Sequence, residues 1–232
     1  MTKKLGLVGG ISWVSTIDYY RIINEGVNAR LGGLNFAECV IVSVNFADFV
    51  RNNTAGDWDA TADLLATAAE QLKAAGAEGI VLCANTAHAV ADQVGQRVGL
   101  PLIHVGDATA AAIRARGLTR VGLLGTQFTM ELPFYRERLQ AHGIEMLVPD
   151  TQSERDFIQA TIRDELGRGV ILAETKRRYL QAIDDLLARG AEGIILGCTE
   201  LPLILSQADL AVPAFDTTRI HAEAAVAFAL SS

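Results

Sequence analysis

One segment of the sequence joins an apolar run to a cysteine and two hydrogen-bonding residues. The run at 193–197 is followed by Cys198, Thr199 and Glu200, and then by Pro202. This order predicts a buried strand that ends on a thiol, with a helix beginning just beyond it, because proline is tolerated in the first turn of a helix. Backbone N–H groups and the positive end of a helix dipole favour a thiolate. We therefore expect the pKa of Cys198 to be lowered toward neutrality, where a thiol can both take up and release a proton.

An earlier segment repeats this one without a gap. The run GAEGIVLCANT at 76–86 aligns with GAEGIILGCTE at 190–200. The alignment sets Cys198 opposite Ala84, and it leaves Cys83 one residue too early. Neighbouring residues of a strand point to opposite faces, so Cys83 is predicted to point away from the side on which Ala84 lies. Cys39, inside another apolar run, is interpreted as a core residue.

Predicted strands and helices alternate along the chain, and their order occurs twice. The run at 120–126 repeats the run at 4–10, and 212–216 resembles 101–107. Such alternation predicts parallel sheets that are covered on both faces. We therefore predict an α/β fold of two similar parallel-sheet lobes related by a pseudo-twofold axis, with residues 1–99 and 209–232 in the first lobe and 100–208 in the second. Ligands of open α/β sheets bind beyond the carboxyl ends of the strands, so the active-site cleft is expected between the lobes.

Composition and charge exclude several classes of function. The 232-residue chain has a net charge of −7, which argues against binding to a nucleic-acid backbone. The apolar run near the N-terminus is too short and too rich in glycine for a signal peptide or a membrane span. Three cysteines without a Cys-x-x-Cys pair predict reduced thiols and a cytoplasmic location. The four histidines show no mutual spacing that would form a metal site, and none is predicted.

Four motifs together resemble the aspartate/glutamate racemase family. They are GGISW at 9–13, NTAH at 85–88, LGTQFTM at 124–130 and GCTE at 197–200. The sequence GISW, followed by Ser15-Thr16 and Tyr19-Tyr20-Arg21, looks most like the broad-specificity amino-acid racemase branch. The resemblance covers essentially the whole chain and implies an amino-acid racemase that needs neither pyridoxal phosphate nor a metal. It also favours a homodimer packed through the aromatic residues between Trp13 and Tyr20.

The resemblance assigns roles to individual residues. Racemisation removes a proton from one face of the α-carbon and delivers one to the other, so a thiol is expected on each face. Cys198 is the predicted catalytic thiol, and the substrate is expected to be aspartate, glutamate or a related polar amino acid. Residues 51–53, at the start of a polar loop predicted at 51–57, are expected to meet the substrate's side chain. The predicted substrate contacts are Gly10, Ile11, Ser12, Asn53, Ala84, Asn85, Thr86, Thr126, Thr199 and Glu200.

The sequence departs from the family pattern at Ala84, which occupies the place of the family's first cysteine. Three interpretations remain open. A bulge reorients Cys83 so that it substitutes for that cysteine, a water or a nearby hydroxyl serves the vacant face, or the chain is a one-base or inactive variant. The alternative functions are one-cysteine decarboxylation or dicarboxylate isomerisation on the same scaffold, and amino-acid binding without catalysis.

Overall fold

The computed structural model describes residues 2–231, which form eight strands and ten α-helices. The strands are β1 (Leu5–Gly9), β2 (Cys39–Ser43), β3 (Gly79–Leu82), β4 (Leu102–Ile103), β5 (Arg120–Gly125), β6 (Glu145–Leu147), β7 (Ile194–Gly197) and β8 (Ala214–Asp216). The helices are α1 (Trp13–Leu31), α2 (Phe46–Thr54), α3 (Trp58–Ala74), α4 (Ala91–Val98), α5 (Val105–Arg114), α6 (Gln127–Glu131), α7 (Pro133–Ala141), α8 (Gln152–Asp164), α9 (Ala173–Ala188) and α10 (Thr217–Ala229).

The chain divides into two compact units. The first contains the residues up to Ala108 and those from Thr218 onward, and the second is Thr109–Thr217. The division predicted from the sequence, after residues 99 and 208, puts both junctions slightly earlier in the chain. Helices α5 and α10 each span one of the observed junctions.

Each unit is built on a four-stranded parallel sheet. The strand orders are β2-β1-β3-β4 in the first unit and β6-β5-β7-β8 in the second, and these are the same order when counted from the first strand of each. The central strands β1, β3 and β7 are buried along their whole length, as expected for parallel strands covered on both faces. The prediction of an α/β fold with two similar parallel sheets is confirmed.

Side chains of β3 alternate between two apolar clusters of the first unit. Ile80 and Leu82 pack with residues of α3 and α4, whereas Val81 and Cys83 pack with residues of α1 and α10. Ala84 again lies against the first of these clusters. The strand therefore continues its alternation to its carboxyl end, where the predicted site residues begin.

Two local predictions are wrong. The segment predicted as a loop at 51–57 contains the end of α2, which begins after Asn45; the Asn45 side chain accepts a hydrogen bond from the N–H of Ala47. The helix predicted after Cys198 is only a 3₁₀ turn, Leu201–Leu203. A capping box between Ser206 and Asp209 begins a separate turn there, since local side-chain bonds compete with a continuing helix.

None of the helices within residues 2–231 is long and apolar enough to cross a membrane. The three cysteines are free thiols in the structure. The cytoplasmic location expected from the cysteines stays a prediction.

Three histidines of the first unit pack together in its interior. The rings of His88 and His104 are 4.7 Å apart between centroids, and those of His88 and His221 are 5.1 Å apart. His221 is completely buried, and its Nδ1 lies 2.8 Å from the Tyr19 hydroxyl. Its Nε2 lies 2.6 Å from the carbonyl of Ile103, so the ring is held as a neutral tautomer that donates to the carbonyl and accepts from the tyrosine.

We expect this histidine cluster to make the protein less stable in acid. Burial lowers the pKa of His221 from 6.5 to about 4, while the carbonyl of Ile103 opposes the shift. The unfolded chain therefore binds a proton at His221 at a higher pH than the folded chain, and stability falls as the pH drops from 6.5 toward 4. At about 1.4 kcal/mol per pH unit, this one group accounts for about 3 kcal/mol across that window.

Urea unfolding at several pH values within this window tests the expectation. The variant His221→Gln should lose less stability on acidification than the wild type does. The variant His142→Gln is the matched control, since His142 lies outside the cluster, and it should follow the wild type. An equal loss in His221→Gln and in the wild type would contradict the assignment.

Candidate active site

The carboxyl end of β1 turns at Gly10, and the turn leaves room for no other residue. Gly10 has a φ of +87°, and a Cβ at this position would lie 2.2 Å from the carbonyl oxygen of Val44. The N–H of Gly10 donates to Thr16 Oγ1 at 2.9 Å, and that hydroxyl lies 3.0 Å from the carbonyl of Ser12. The predicted contacts Gly10, Ile11 and Ser12 therefore belong to one turn, which the first turn of α1 holds in place.

A second hydroxyl of α1 joins this turn to the end of β3. Ser15 Oγ lies 2.8 Å from the carbonyl of Ser12 and 3.2 Å from the carbonyl of Cys83. In the sequence, Ser15 and Thr16 are recognisable only as part of a family motif. Their spacing of three and four residues after Ser12 is the signal that could have identified this role, because a helical side chain reaches back over that distance.

The segment after β3 contains three of the predicted substrate contacts. Ala84 is half-buried, whereas Asn85 and Thr86 are buried at the start of the 3₁₀ helix Thr86–Val90. His88 Nδ1 lies 2.9 Å from the carbonyl of Ala84 and fixes the backbone there. Cys83, by contrast, is fully buried in the apolar cluster with α1 and α10, and burial raises the pKa of its thiol. The structure shows no reorientation of Cys83 toward the side of Ala84.

Asn53 lies in the last turn of α2 and is buried. Its Oδ1 accepts a hydrogen bond from Thr61 Oγ1 at 2.6 Å. This bond joins α2 to α3 and orients the amide. On the preceding turn of α2, Phe49 packs in the same apolar cluster as Ile11 and Ala84. The helix that carries Asn53 thus contributes to the same apolar cluster as two of the other predicted contacts.

The strand registers support the equivalence of Ala84 and Cys198. In the first sheet Val8 pairs with Leu82, and in the second Leu124 pairs with Leu196. Val8 and Leu124 occupy the same place in the internal repeat. Two residues beyond the paired leucines, the chain reaches Ala84 in one unit and Cys198 in the other.

Thr126 and Cys198 follow neighbouring strands of the second sheet. Gly125 pairs with Gly197, so the residues after them leave the same edge of the sheet side by side. Thr126 caps α6: its Oγ1 accepts the N–H of Thr129 at 3.3 Å and lies 3.0 Å from the Thr129 hydroxyl. The threonine side chain is therefore fixed by its own helix.

Cys198, Thr199 and Glu200 form a hydrogen-bonded group at this edge. Cys198 Sγ lies 2.8 Å from Glu200 Oε2, and Thr199 Oγ1 lies 2.7 Å from the same oxygen. All three side chains are partly buried. The thiol and the hydroxyl are the donors and the carboxylate accepts both. The sequence predicts a contact of Glu200 with the substrate, and its contact with the thiol was not predicted. The spacing of two residues in a tight turn is the signal for that contact.

The expectation of a lowered Cys198 pKa is wrong for this structure. Burial and the adjacent Glu200 carboxylate raise the pKa of the thiol well above its ordinary value. The backbone N–H groups of Thr199 and Glu200 do favour the thiolate, as expected, but they are outweighed. The predicted helix dipole is missing as well, because only a single 3₁₀ turn follows.

Within residues 2–231, no group of three or more histidine, cysteine or acidic side chains is arranged to hold a metal ion. The second unit does present a thiol beside a carboxylate. A thiol and a carboxylate at hydrogen-bonding distance can exchange a proton with each other and with a bound molecule.

The chain is similar to solved structures over its full length. It is 49% identical to a candidate Asp/Glu racemase from Yersinia pestis, with 99% of this chain and 100% of that one covered and a TM-score of 0.94. It is 36% identical to an aspartate racemase homologue from Pyrococcus horikoshii, with 99% and 100% covered and a TM-score of 0.86.

The chain is also similar to curated racemases. The broad-specificity amino-acid racemase RacX of Bacillus subtilis is 24% identical over 174 residues, 73% of each chain. The chain spans about half the length of the glutamate racemases that it matches, for example 46% of the one from Streptococcus sanguinis. The family model described as Asp/Glu/hydantoin racemase matches residues 8–225. Because this match covers nearly the whole sequence, the chain belongs to the Asp/Glu/hydantoin racemase family.

Proposed function

We propose that this protein is an amino-acid racemase that works without pyridoxal phosphate on aspartate, glutamate or a related polar amino acid. The observation that carries the proposal is the thiol of Cys198 at the carboxyl end of β7, 2.8 Å from a carboxylate. Open α/β sheets bind ligands at this end of their strands. Family membership and the likeness to a broad-specificity racemase support the reaction class.

In the proposed reaction, the Cys198 thiolate removes the α-proton of the bound amino acid and becomes a thiol. The electron pair of the broken C–H bond passes into the substrate's carboxylate, which acquires enolate character. Hydrogen-bond donors placed in advance stabilise that charge, and the hydroxyl of Thr126 is assigned this role in the second unit. The Thr199 hydroxyl is assigned to the Glu200 carboxylate, to which it donates. Reprotonation of the α-carbon by the thiol or from the other face completes the exchange.

Glu200 has the capacity to contact the substrate as well as the thiol. Its Oε2 accepts the two bonds described above, and Oε1 makes no hydrogen bond within the described part of the chain. We assign Oε1 to the ammonium group of the amino acid, since a carboxylate and an ammonium form a strong charge-assisted hydrogen bond.

Further substrate contacts are proposed among residues of the first unit. The turn at Gly10–Ser12 offers backbone groups, and Asn85 and Thr86 offer polar side chains after β3. Asn53 is assigned to the substrate's side chain. Ala84 has no proton to exchange, so a water or a hydroxyl must serve that face, and inversion is expected to be slower than exchange.

Ala84 also favours a second candidate function. A single thiol is sufficient to protonate one face of an enolate, as decarboxylation followed by protonation requires. This reaction on a substituted malonate would give one enantiomer of the product. It ranks second because the motif NTAH at 85–88 resembles the racemases more closely.

A homodimer remains part of the proposal. Along α1, four apolar side chains are exposed at helical spacing: Trp13, Val14, Ile17 and Tyr20, with Trp13 67% exposed. A contiguous apolar stripe on a helix is a common feature of interfaces between subunits. Tyr19 points the other way, into the core.

Deuterium exchange separates these functions. The L- and D-forms of aspartate, glutamate and other polar amino acids are incubated with the protein in deuterated water. Proton NMR reports α-deuterium uptake and chiral chromatography reports inversion. We expect uptake with slower inversion for at least one amino acid. Release of carbon dioxide from a malonate without uptake by any amino acid would support the second candidate, and binding without either reaction would contradict both.

A further inference from the structure

We propose that Glu200 is the base that takes the proton from the Cys198 thiol and the acid that returns it, so that the two residues work as a dyad with one shared proton. This inference deepens the proposed function and rests on it. It gives Glu200 a catalytic role in addition to its contact with the substrate.

The first observation is the short contact between the two groups. Cys198 Sγ and Glu200 Oε2 are 2.8 Å apart, a separation at which the S–H points at the carboxylate and a proton can pass between them. The two residues are separated by one position in a tight turn, so the contact is set by the local backbone. Leu201 N–H bonds to the carbonyl of Cys198 at 3.2 Å and closes that turn.

The second observation is that Thr199 orients the carboxylate. Its hydroxyl donates to the same oxygen, Oε2, at 2.7 Å. A carboxylate held by a neighbouring donor keeps one oxygen directed at the thiol instead of rotating into solvent. Partial burial of all three side chains further restricts their motion.

The third observation explains why a base is needed. Burial, together with the negative charge of Glu200, raises the pKa of the Cys198 thiol, so the free protein holds this group as a thiol. A thiol cannot remove an α-proton. Transfer of the S–H proton to Glu200 gives a thiolate and a neutral carboxylic acid, and no proton has to come from or go to solvent in that step.

The proton balance closes over one cycle. The carboxylate accepts the thiol proton, the thiolate then accepts the α-proton, and the sulfur is again a thiol while Glu200 is protonated. After the thiol returns a proton to the α-carbon, the thiolate recovers its own proton from Glu200. Exchange of the S–H and COOH protons with deuterated water introduces the label.

The test uses two readouts that should move in opposite directions in Glu200→Gln. The amide carries no charge and cannot accept the thiol proton as a base. Alkylation of Cys198 by iodoacetamide, followed by mass spectrometry as a function of pH, should become about tenfold faster below the thiol pKa if that pKa falls by about one unit. Deuterium uptake is measured at saturating amino acid, so that the lost contact between Glu200 and the ammonium group does not contribute. It should nevertheless fall by about 10²-fold or more, as expected when an acid–base group is lost.

Matched variants control for structural effects. All measurements are made in a Cys39→Ser background, which leaves Cys198 as the partly exposed thiol, because Cys83 is fully buried. Glu174→Gln removes an exposed carboxylate elsewhere in the second unit and should change neither readout. Glu200→Asp keeps a carboxylate but, because the side chain is one methylene shorter, places it farther from the thiol. This variant should recover part of the deuterium uptake that Glu200→Gln loses.

Each outcome decides a different point. Equal or faster deuterium uptake in Glu200→Gln would overturn the role of Glu200 as the base. An unchanged alkylation profile would overturn the pairing itself, whatever the exchange experiment finds. Absence of uptake by any amino acid in the wild type, with a shifted alkylation profile in Glu200→Gln, would overturn the racemase proposal and leave the pair in place.

Discussion

Replacing Cys198 by alanine is expected to lower deuterium uptake at the α-carbon by about 10²- to 10⁴-fold, the range typical for loss of a general acid–base group. Cys198 is the thiol that the structure places beside a carboxylate at the carboxyl end of a strand. The side chain is only partly buried, so its truncation leaves most of the core untouched. Thermal unfolding should therefore change little, while the chemistry is lost.

The other two cysteines provide the controls for this variant. Cys39 lies on β2 and is partly exposed, and Cys39→Ala should keep the wild-type exchange. Cys83→Ala should lower the stability, since it leaves a cavity in a packed cluster, but exchange per folded molecule should persist. Retained exchange in Cys198→Ala together with its loss in Cys83→Ala would reverse the assignment and favour a reoriented Cys83.

Much of the fold could be predicted from the sequence because the signals were periodic and local. Buried parallel strands appear as short apolar runs. The repeat of 76–86 at 190–200 contains one central strand of each sheet, and these two strands pair with their neighbours in matching registers. Strand alternation also predicts that Cys83 and Ala84 lie on opposite faces, and the structure places their side chains in that way. Because side chains alternate with a period of two residues, the face on which each one lies is fixed once the ends of the strand are known.

The parts that the sequence did not predict depend on single side-chain contacts. Asn45 starts a helix through the polar residues at 51–54, which composition alone made resemble a loop. The raised pKa of Cys198 comes first from burial of the thiol and then from the side-chain position of Glu200, which brings a negative charge against the sulfur. Pro202 is compatible with a long helix or with one 3₁₀ turn. The structure has the 3₁₀ turn, and the capping box between Ser206 and Asp209 begins a separate turn after it. These contacts depend on side-chain rotamers and local turn geometry, which the apolar periodicity of the chain does not determine.

In the wild type we expect α-deuterium uptake to be faster than inversion of the amino acid. The variant Ala84→Cys should bring these two rates close to each other. The strand registers put residue 84 at the position equivalent to Cys198, so the new thiol would meet the substrate where the methyl group now lies. A thiol has an ordinary pKa near about 8.5 and can act as an acid and a base near neutral pH, which a methyl group cannot. We expect inversion to rise by about 10²-fold, with deuterium uptake changed far less.

Ala84→Ser is the matched control, because it adds an atom of similar reach whose hydroxyl is a far weaker acid than a thiol. It should leave the ratio of inversion to uptake near that of the wild type. Residue 84 is half-buried against an apolar cluster, so thermal unfolding of both variants must accompany the kinetics. A folded Ala84→Cys protein whose inversion rate equals that of Ala84→Ser would contradict the equivalence of positions 84 and 198. The proton on that face would then have to come from another group, and the hydroxyls of Ser12 and Thr86 would be the next residues to replace.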